Sequence, residues 1–194
     1  MLDRAGSTLR LLESAGAGES VALGRDAEAD VPAFRVVREG WVRPPIHLDH
    51  DLVTGEETVV HVQAVMGGRL PDDYVCEVET VAADDGAGVP LSLVARRGSS
   101  TPGPALLYGY GAYESAEDPV FWPELAPLLD RGVTFAVAHV RGGGERGRSW
   151  WLQGRLLNKR VTFTDFVACA RHLVTTGRTE PARLAARGLS AGGC

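Results

Sequence analysis

Gly188-Leu189-Ser190-Ala191-Gly192 has the spacing G-x-S-x-G and follows a short run, Arg183 to Arg187, that reads as a strand. A serine between glycines at a strand end suits a tight bend. The glycines let the backbone turn steeply and approach closely, so the hydroxyl projects outward and the next backbone N–H, that of Ala191, faces a developing oxyanion. The chemistry is acyl transfer with Ser190 as nucleophile. A serine hydroxyl needs a base, ordinarily a histidine oriented by an acid, and in proteins that use such an elbow the acid and the histidine follow the serine in the chain. Only four residues follow Ser190, and all five histidines, His47, His50, His61, His139 and His172, precede it, as does every Asp and Glu. The expectation is an attacking residue without its activating pair, in a chain that stops just after the nucleophile.

Gly109-Tyr110-Gly111-Ala112-Tyr113 leaves the apolar run Ala105-Leu106-Leu107-Tyr108. Its glycines permit close approach and a tyrosine hydroxyl can donate to negative charge; on composition alone, simple packing of the loop is an equal reading. Gly142 to Gly147 is a literal G-x-G-x-x-G. A dinucleotide fingerprint opens directly into a helix and finds an acid about 20 residues on, at the end of the next strand. Here Trp150-Trp151 and a polar stretch intervene and Asp165 falls inside a helical pattern, so a rigid loop held by Arg141 or Glu145 is the better account. His47, Asp49, His50 and Asp51 match no zinc or EF-hand spacing and read as a polar turn at an exposed strand edge. Trp41, Trp122, Trp150 and Trp151 are scattered rather than interleaved with a basic stripe, which favours packing over nucleic-acid stacking.

The elements that position these residues follow from periodicity. Phe34 to Val62 has short apolar groups with a Thr54-Gly55 turn, a sheet pattern. Tyr74 to Val81 and Val89 to Ala95 alternate about Asp84-Asp85-Gly86, a hairpin. Ala105 to Tyr108 and Val133 to Ala138 read as buried strands, with Phe121, Leu125, Leu128 and Leu129 at helical spacing between them and Gly132 as the stop. Phe163, Phe166, Val167, Ala170, Leu173 and Val174 form the apolar face of a helix from about Thr162 to Gly177, with Thr162 and Asp165 as its capping pair. Strand, helix, strand, helix, strand predicts a parallel sheet covered by helices.

At 194 residues, 44% hydrophobic and 23% charged, the composition is that of a globular chain. A net charge of -5 provides no general attraction to nucleic acid or anionic lipid. Three distant cysteines, Cys76, Cys169 and Cys194, suggest neither a metal site nor a disulfide framework. No apolar run approaches the roughly 20 residues that cross a bilayer, and the start lacks a signal-peptide pattern, so the cytoplasm is the expected location.

LLYGYGAYE, LLDRGVTFAVAHVRGGGERGRSWW, the N-K-x-x-T-F-x-D-F pattern from Asn158 to Phe166 and RLAARGLSAGG occur in one order between Val89 and Gly193. Together they resemble the prolyl oligopeptidase family of serine peptidases, and within it oligopeptidase B. The resemblance implies an α/β fold: a partial α/β-hydrolase domain with a mainly parallel sheet and flanking helices, preceded by a remnant of β-propeller sheet. Residues 1–33 are then a poorly structured or displaced segment, 34–72 the last propeller blade and linker, and 73–194 the N-terminal half of the catalytic domain. It implies Ser190 as nucleophile, Tyr110 and Ala191 as the oxyanion hole, and Tyr113 as an aromatic lining of the leaving-side pocket. Asp118 would help to recognise a basic side chain; Val120 stands at the second expected acidic position, with Glu117 as a candidate substitute. The implied reaction is hydrolysis of short, basic peptides after Arg or Lys, without metal or organic cofactor. The acid and histidine would come from a complementing C-terminal hydrolase fragment. A noncatalytic peptide-binding or interaction protein derived from the same fold is the alternative, and a dinucleotide-binding domain the weaker third.

Overall fold

The computed structural model describes residues 16–25, 31–65 and 71–193. Alternating side chains build two sheets. Strands β1 (Glu19–Leu23), β2 (Ala33–Gly40), β3 (Ile46–Asp51) and β4 (Glu57–Val62) form a four-stranded sheet in chain order, every pairing antiparallel. Of residues 1–33, β1 and its flanks are thus seen in a sheet, while 1–15 and 26–30 lie outside the described residues.

The second sheet has the order β5-β6-β8-β7-β9, from β5 (Tyr74–Ala82), β6 (Gly88–Arg96), β7 (Ala105–Tyr108), β8 (Thr134–Ala138) and β9 (Leu184–Arg187). Helix α1 (Ala126–Leu129) follows a 3₁₀ turn at Pro123–Leu125, α2 (Arg148–Gln153) is short, and α3 (Arg160–Thr175) is the main helix. The period of two divides the strands between two cores. Leu91, Leu93, Leu107, Ala136 and Ala138 face α3 through Ala168, Cys169 and Leu173. Val94, Tyr108, Phe135 and Val137 face Leu125, Leu129 and Trp41 on the other side. Burial pushes the Cys169 thiol up to about 12 and the Cys76 thiol up to about 11; Cys194 lies outside the described residues. Among the described residues no helix is long and apolar enough to cross a membrane.

Two parts of the expected fold are overturned. The second sheet is not mainly parallel: β8-β7 and β7-β9 pair in parallel, but β5-β6 and β6-β8 are antiparallel. For β5-β6 the physical reason is connection length, since a hairpin turn as short as residues 83–87 can only set neighbours antiparallel. The first sheet is an open meander, neither curled nor closed, so the propeller remnant is not found; what remains is an α/β fold of one antiparallel and one mixed sheet with flanking helices. A third difference concerns β3, which lies between β2 and β4 rather than at an edge. Its polar cluster is divided: Asp49 pairs with Arg35, His50 is buried against Glu57, and Asp51 caps the turn through the Val53 and Thr54 N–H groups.

Helix α3 also departs from its expected face and start. It begins at Arg160 and buries Thr162, Asp165, Ala168, Cys169 and Leu173; of the expected face Leu173, Phe166 and Ala170 pack on the core while Val167 is left exposed. The inward polar residues are engaged by Arg141 instead of capping the helix. Arg141 donates from its backbone N and Nε to Asp165 Oδ2 at 3.1 and 2.9 Å, from Nη2 to Asp165 Oδ1 at 2.6 Å, and from Nη1 to Asp85 at 2.6 Å. Hydrogen bonds to Asp165 first, and to Asp85 after it, hold the guanidinium protonated far above its ordinary range. At the far end of α3, Glu79 binds His172 Nε2 at 2.6 Å and also pairs with Arg178. Partial burial opposes ionisation of Glu79, but these hydrogen bonds outweigh it and hold its carboxyl below the usual range.

Breaking a buried pair strands its partner's charge, so Asp165→Ala lowers unfolding free energy by about 3 kcal/mol in urea denaturation; a loss below about 1 kcal/mol would show that the pair does not anchor α3. A depressed carboxyl stabilises above its unfolded value of about 4.3, and that contribution disappears as pH falls through the lower folded value. Glu79→Gln is therefore expected to make the acid limb of the stability–pH curve shallower than in the parent chain.

Candidate active site at the ends of two parallel strands

Strands β7 and β9 run in parallel with Tyr108 opposite Arg187, so the loops that leave them emerge at the same level of the sheet. One carries Gly109-Tyr110-Gly111, the other Gly188-Leu189-Ser190. Crevices outside the carboxyl ends of parallel strands are where α/β folds bind ligands. Ser190 is exposed and has φ of 52°, a left-handed conformation that a serine adopts only when its surroundings force it. The surroundings are backbone. A Cβ at Gly188 would collide with the Gly192 carbonyl, and a Cβ at Gly192 would lie 2.8 Å from Gly109 O and 2.9 Å from Tyr110 Cα. The Gly192 N–H closes the bend on Leu189 O at 2.8 Å. Ser190 therefore sits on an elbow whose far side rests on the Tyr110 loop.

Of the expected site residues, the structure gathers Ala191 with Gly111, Ala112 and Tyr113 around one cleft, walled opposite by Trp151, Arg155, Leu156 and Lys159. Tyr113 is largely exposed there and, like Leu156 on the facing wall, has positive φ. Tyr110 lines a second hollow beneath the elbow with Phe163, Phe166 and Gly192. Glu117 lies in a different, more buried cluster. Burial pushes its carboxyl up, partly countered by a hydrogen bond with Tyr108, and its N–H donates to Glu145 Oε1 at 3.2 Å. Burial likewise lifts the Tyr108 phenol to about 12. Asp118 is exposed, and its charge helps to raise that of Glu117, so the two carboxylates are electrostatic neighbours.

Among the described residues no histidine is hydrogen-bonded to Ser190. His139 Nε2 lies 2.8 Å from Ser92 Oγ and its Nδ1 3.6 Å from Glu145, His172 is held by Glu79 and His50 by Glu57, and His47 and His61 face each other across β3 and β4.

The Gly142–Gly147 loop is filled by protein. A Cβ at Gly142 would strike Gly111 O, one at Gly144 the Glu114 carbonyl, and one at Gly154 the Arg141 backbone. Its glycines serve close approach between loops, with Arg141 as the expected anchor, although α2 does open directly at Arg148, contrary to the expected polar stretch.

A model of the prolyl oligopeptidase family matches residues 119–194. The chain is 39% identical over 176 residues to Protease 2 of Moraxella lacunata, covering 90% of this chain and 26% of that protein. It superposes on oligopeptidase B of Trypanosoma brucei, solved in a closed form with covalently bound antipain, with a TM-score of 0.87, 39% identity, and coverage of 93% of this chain and 26% of that one. The chain belongs to the prolyl oligopeptidase family. Oligopeptidase B of Leishmania major agrees, with a TM-score of 0.88 at 37% identity over 99% of this chain and 28% of the other. The chain spans about a quarter of the length of these relatives.

Sequence periodicity alone missed the part played by the first turns of α3. Lys159 Nζ donates to Gly111 O at 2.6 Å, and Thr162 Oγ1 to Arg141 O at 2.6 Å. Lys159, Thr162 and Asp165 recur every three residues on one helix face, and an inward polar stripe at that spacing is the signal that would have revealed them.

Because its Cβ would meet backbone, Gly188→Ala is expected to cost about 1–3 kcal/mol by denaturant titration. Gly193→Ala is the control. There the nearest atoms to an added Cβ are 3.7 Å away, and a change within about 0.5 kcal/mol is expected; equal costs at both positions would contradict the tight packing of the bend.

Proposed function

We propose that this chain forms the nucleophile-bearing part of a serine peptidase that cleaves short peptides after Arg or Lys. The observation that carries the reading is Ser190 at positive φ on an exposed elbow in backbone contact with the Tyr110 loop. In this reaction Ser190 Oγ attacks the peptide carbonyl carbon while a base takes the hydroxyl proton. The carbonyl oxygen becomes an oxyanion, to which the Ala191 N–H and the Tyr110 hydroxyl donate. Collapse breaks the C–N bond, the proton passes to the leaving amine, and water then hydrolyses the acyl-enzyme on Ser190. Tyr113 lines the approach. Asp118, with Glu117 behind it, supplies negative charge for a basic side chain, a reading supported by the likeness to oligopeptidase B.

None of the five histidines in these 194 residues serves Ser190, so the base and its acid are supplied by a complementing hydrolase segment. The same observation favours a second reading, a noncatalytic peptide-binding protein. A serine-reactive fluorophosphonate probe separates them. The 194-residue chain alone is expected to be labelled slowly, at Ser190, and a complementing segment to accelerate labelling by about a hundredfold or more, in line with the worth of a general base. Acceleration by no such segment would leave the binding reading, and labelling that survives Ser190→Ala would overturn Ser190 as nucleophile.

A further inference from the structure

Lys159 is a basic side chain at the wall of the cleft that also holds Ala191, yet its ammonium is directed into the protein at a main-chain carbonyl. That carbonyl belongs to Gly111, the residue after Tyr110. Gly111 has φ of 63° and no room for a side chain, because a Cβ there would strike Thr162 Cγ2 and come within 2.6 Å of Val140 Cγ2. Its carbonyl is also where the Cβ of any residue replacing Gly142 would fall. The peptide group joining Gly111 to Ala112, one residue beyond Tyr110, is thus confined on one side by packing and on the other by a charge-assisted hydrogen bond, about twice as strong as a neutral one.

Lys159 does not act alone. Lys159 flanks the start of α3; three residues further on Thr162 Oγ1 donates to Arg141 O, and three further still Asp165 neutralises the Arg141 guanidinium. One helix face therefore grips both the loop after β7 and the loop after β8. Arg141 and Asp165 are buried and fix the depth of the helix; Lys159, at its mouth, is the member that reaches the loop carrying Tyr110.

We infer that Lys159 is a positioning residue of the proposed reaction, fixing through the Gly111 carbonyl the direction in which Tyr110 presents its hydroxyl to the oxyanion. The inference rests on the reading of Tyr110 as an oxyanion donor. It assigns Lys159 no contact with substrate and no proton to transfer.

Two measurements on the 194-residue chain test it. With 3-fluorotyrosine in place of the four tyrosines, the ¹⁹F resonance lost in Tyr110→Phe identifies Tyr110. In Lys159→Met that resonance shifts toward the solvent-exposed position and broadens, while those of Tyr74 and Tyr108 stay in place; Lys159→Arg restores it. An unmoved Tyr110 resonance in Lys159→Met would overturn the assignment. If Lys159→Met fails to fold, judged by collapse of all four resonances, Lys159→Gln takes its place. In the second measurement, fluorophosphonate labelling of Ser190 slows about tenfold in Lys159→Met, a part of the hundredfold or more that loss of an oxyanion donor costs. The double variant Lys159→Met/Tyr110→Phe labels no more slowly than Tyr110→Phe alone, because one residue acts through the other. Additive losses would overturn the inference. Absence of Ser190 labelling in every form counts against the nucleophile reading alone, and the Lys159 assignment is then decided by the ¹⁹F resonance.

Discussion

A guanidinium taken out of water has to be neutralised where it lies, and Arg141 meets that requirement through Asp165, whose side chain has no exposure. The consequences run outward in both directions. Because Asp165 is on α3 and Arg141 lies just past β8, the pair fixes the helix against the sheet at the end where the loops emerge. Because Arg141 also turns its carbonyl to Thr162, the Gly142–Gly147 loop leaves in one direction only, back against Gly111. The loop after β7 then has a floor, and the elbow after β9 rests on that loop through Gly192. Removal of any one of these contacts leaves the others without a surface to press on.

The cost of this arrangement is conformational. Ser190, Tyr113 and Leu156 take the left-handed region that side chains disfavour, and all three border or adjoin the Ala191 cleft. Such strain persists only where the surroundings over-determine it. Here parallel registry of β7 with β9, collision-free glycines and the α3 grip all converge on one crevice. Glu117 belongs to a different regime: half-buried beside Tyr108 and Glu145, its carboxyl resists ionisation, whereas Asp118 is exposed.

Much of this was legible in the sequence, for identifiable reasons. The β5-β6 hairpin, β7, β8 and β9 were visible because alternation and turn residues are local signals. The elbow was visible because G-x-S-x-G encodes a backbone shape directly. The parallel character of the sheet was overestimated, since helix-strand alternation describes only β7, β8 and β9 and is silent on how β6 docks beside β8. The remnant of β-propeller sheet was inferred from family likeness and not from any residue pattern, and the open meander corrects it. The face of α3 was legible in part, since Phe166, Ala170 and Leu173 do pack on the core, but hydrophobicity cannot anticipate that Thr162 and Asp165 turn inward to meet an arginine distant in the chain.

The crevice depends on the bend at Ser190 pressing against the loop after β7. Nuclear Overhauser contacts between the Gly192 and Tyr110 α-protons, measured in solution together with the Ser190 HN–Hα coupling, test it most directly. A strong cross-peak and a coupling that matches left-handed φ at Ser190 are the predicted result. An absent cross-peak with an ordinary negative φ would mean that the hydroxyl is not set on an elbow, and the reading of Ser190 as nucleophile would be contradicted.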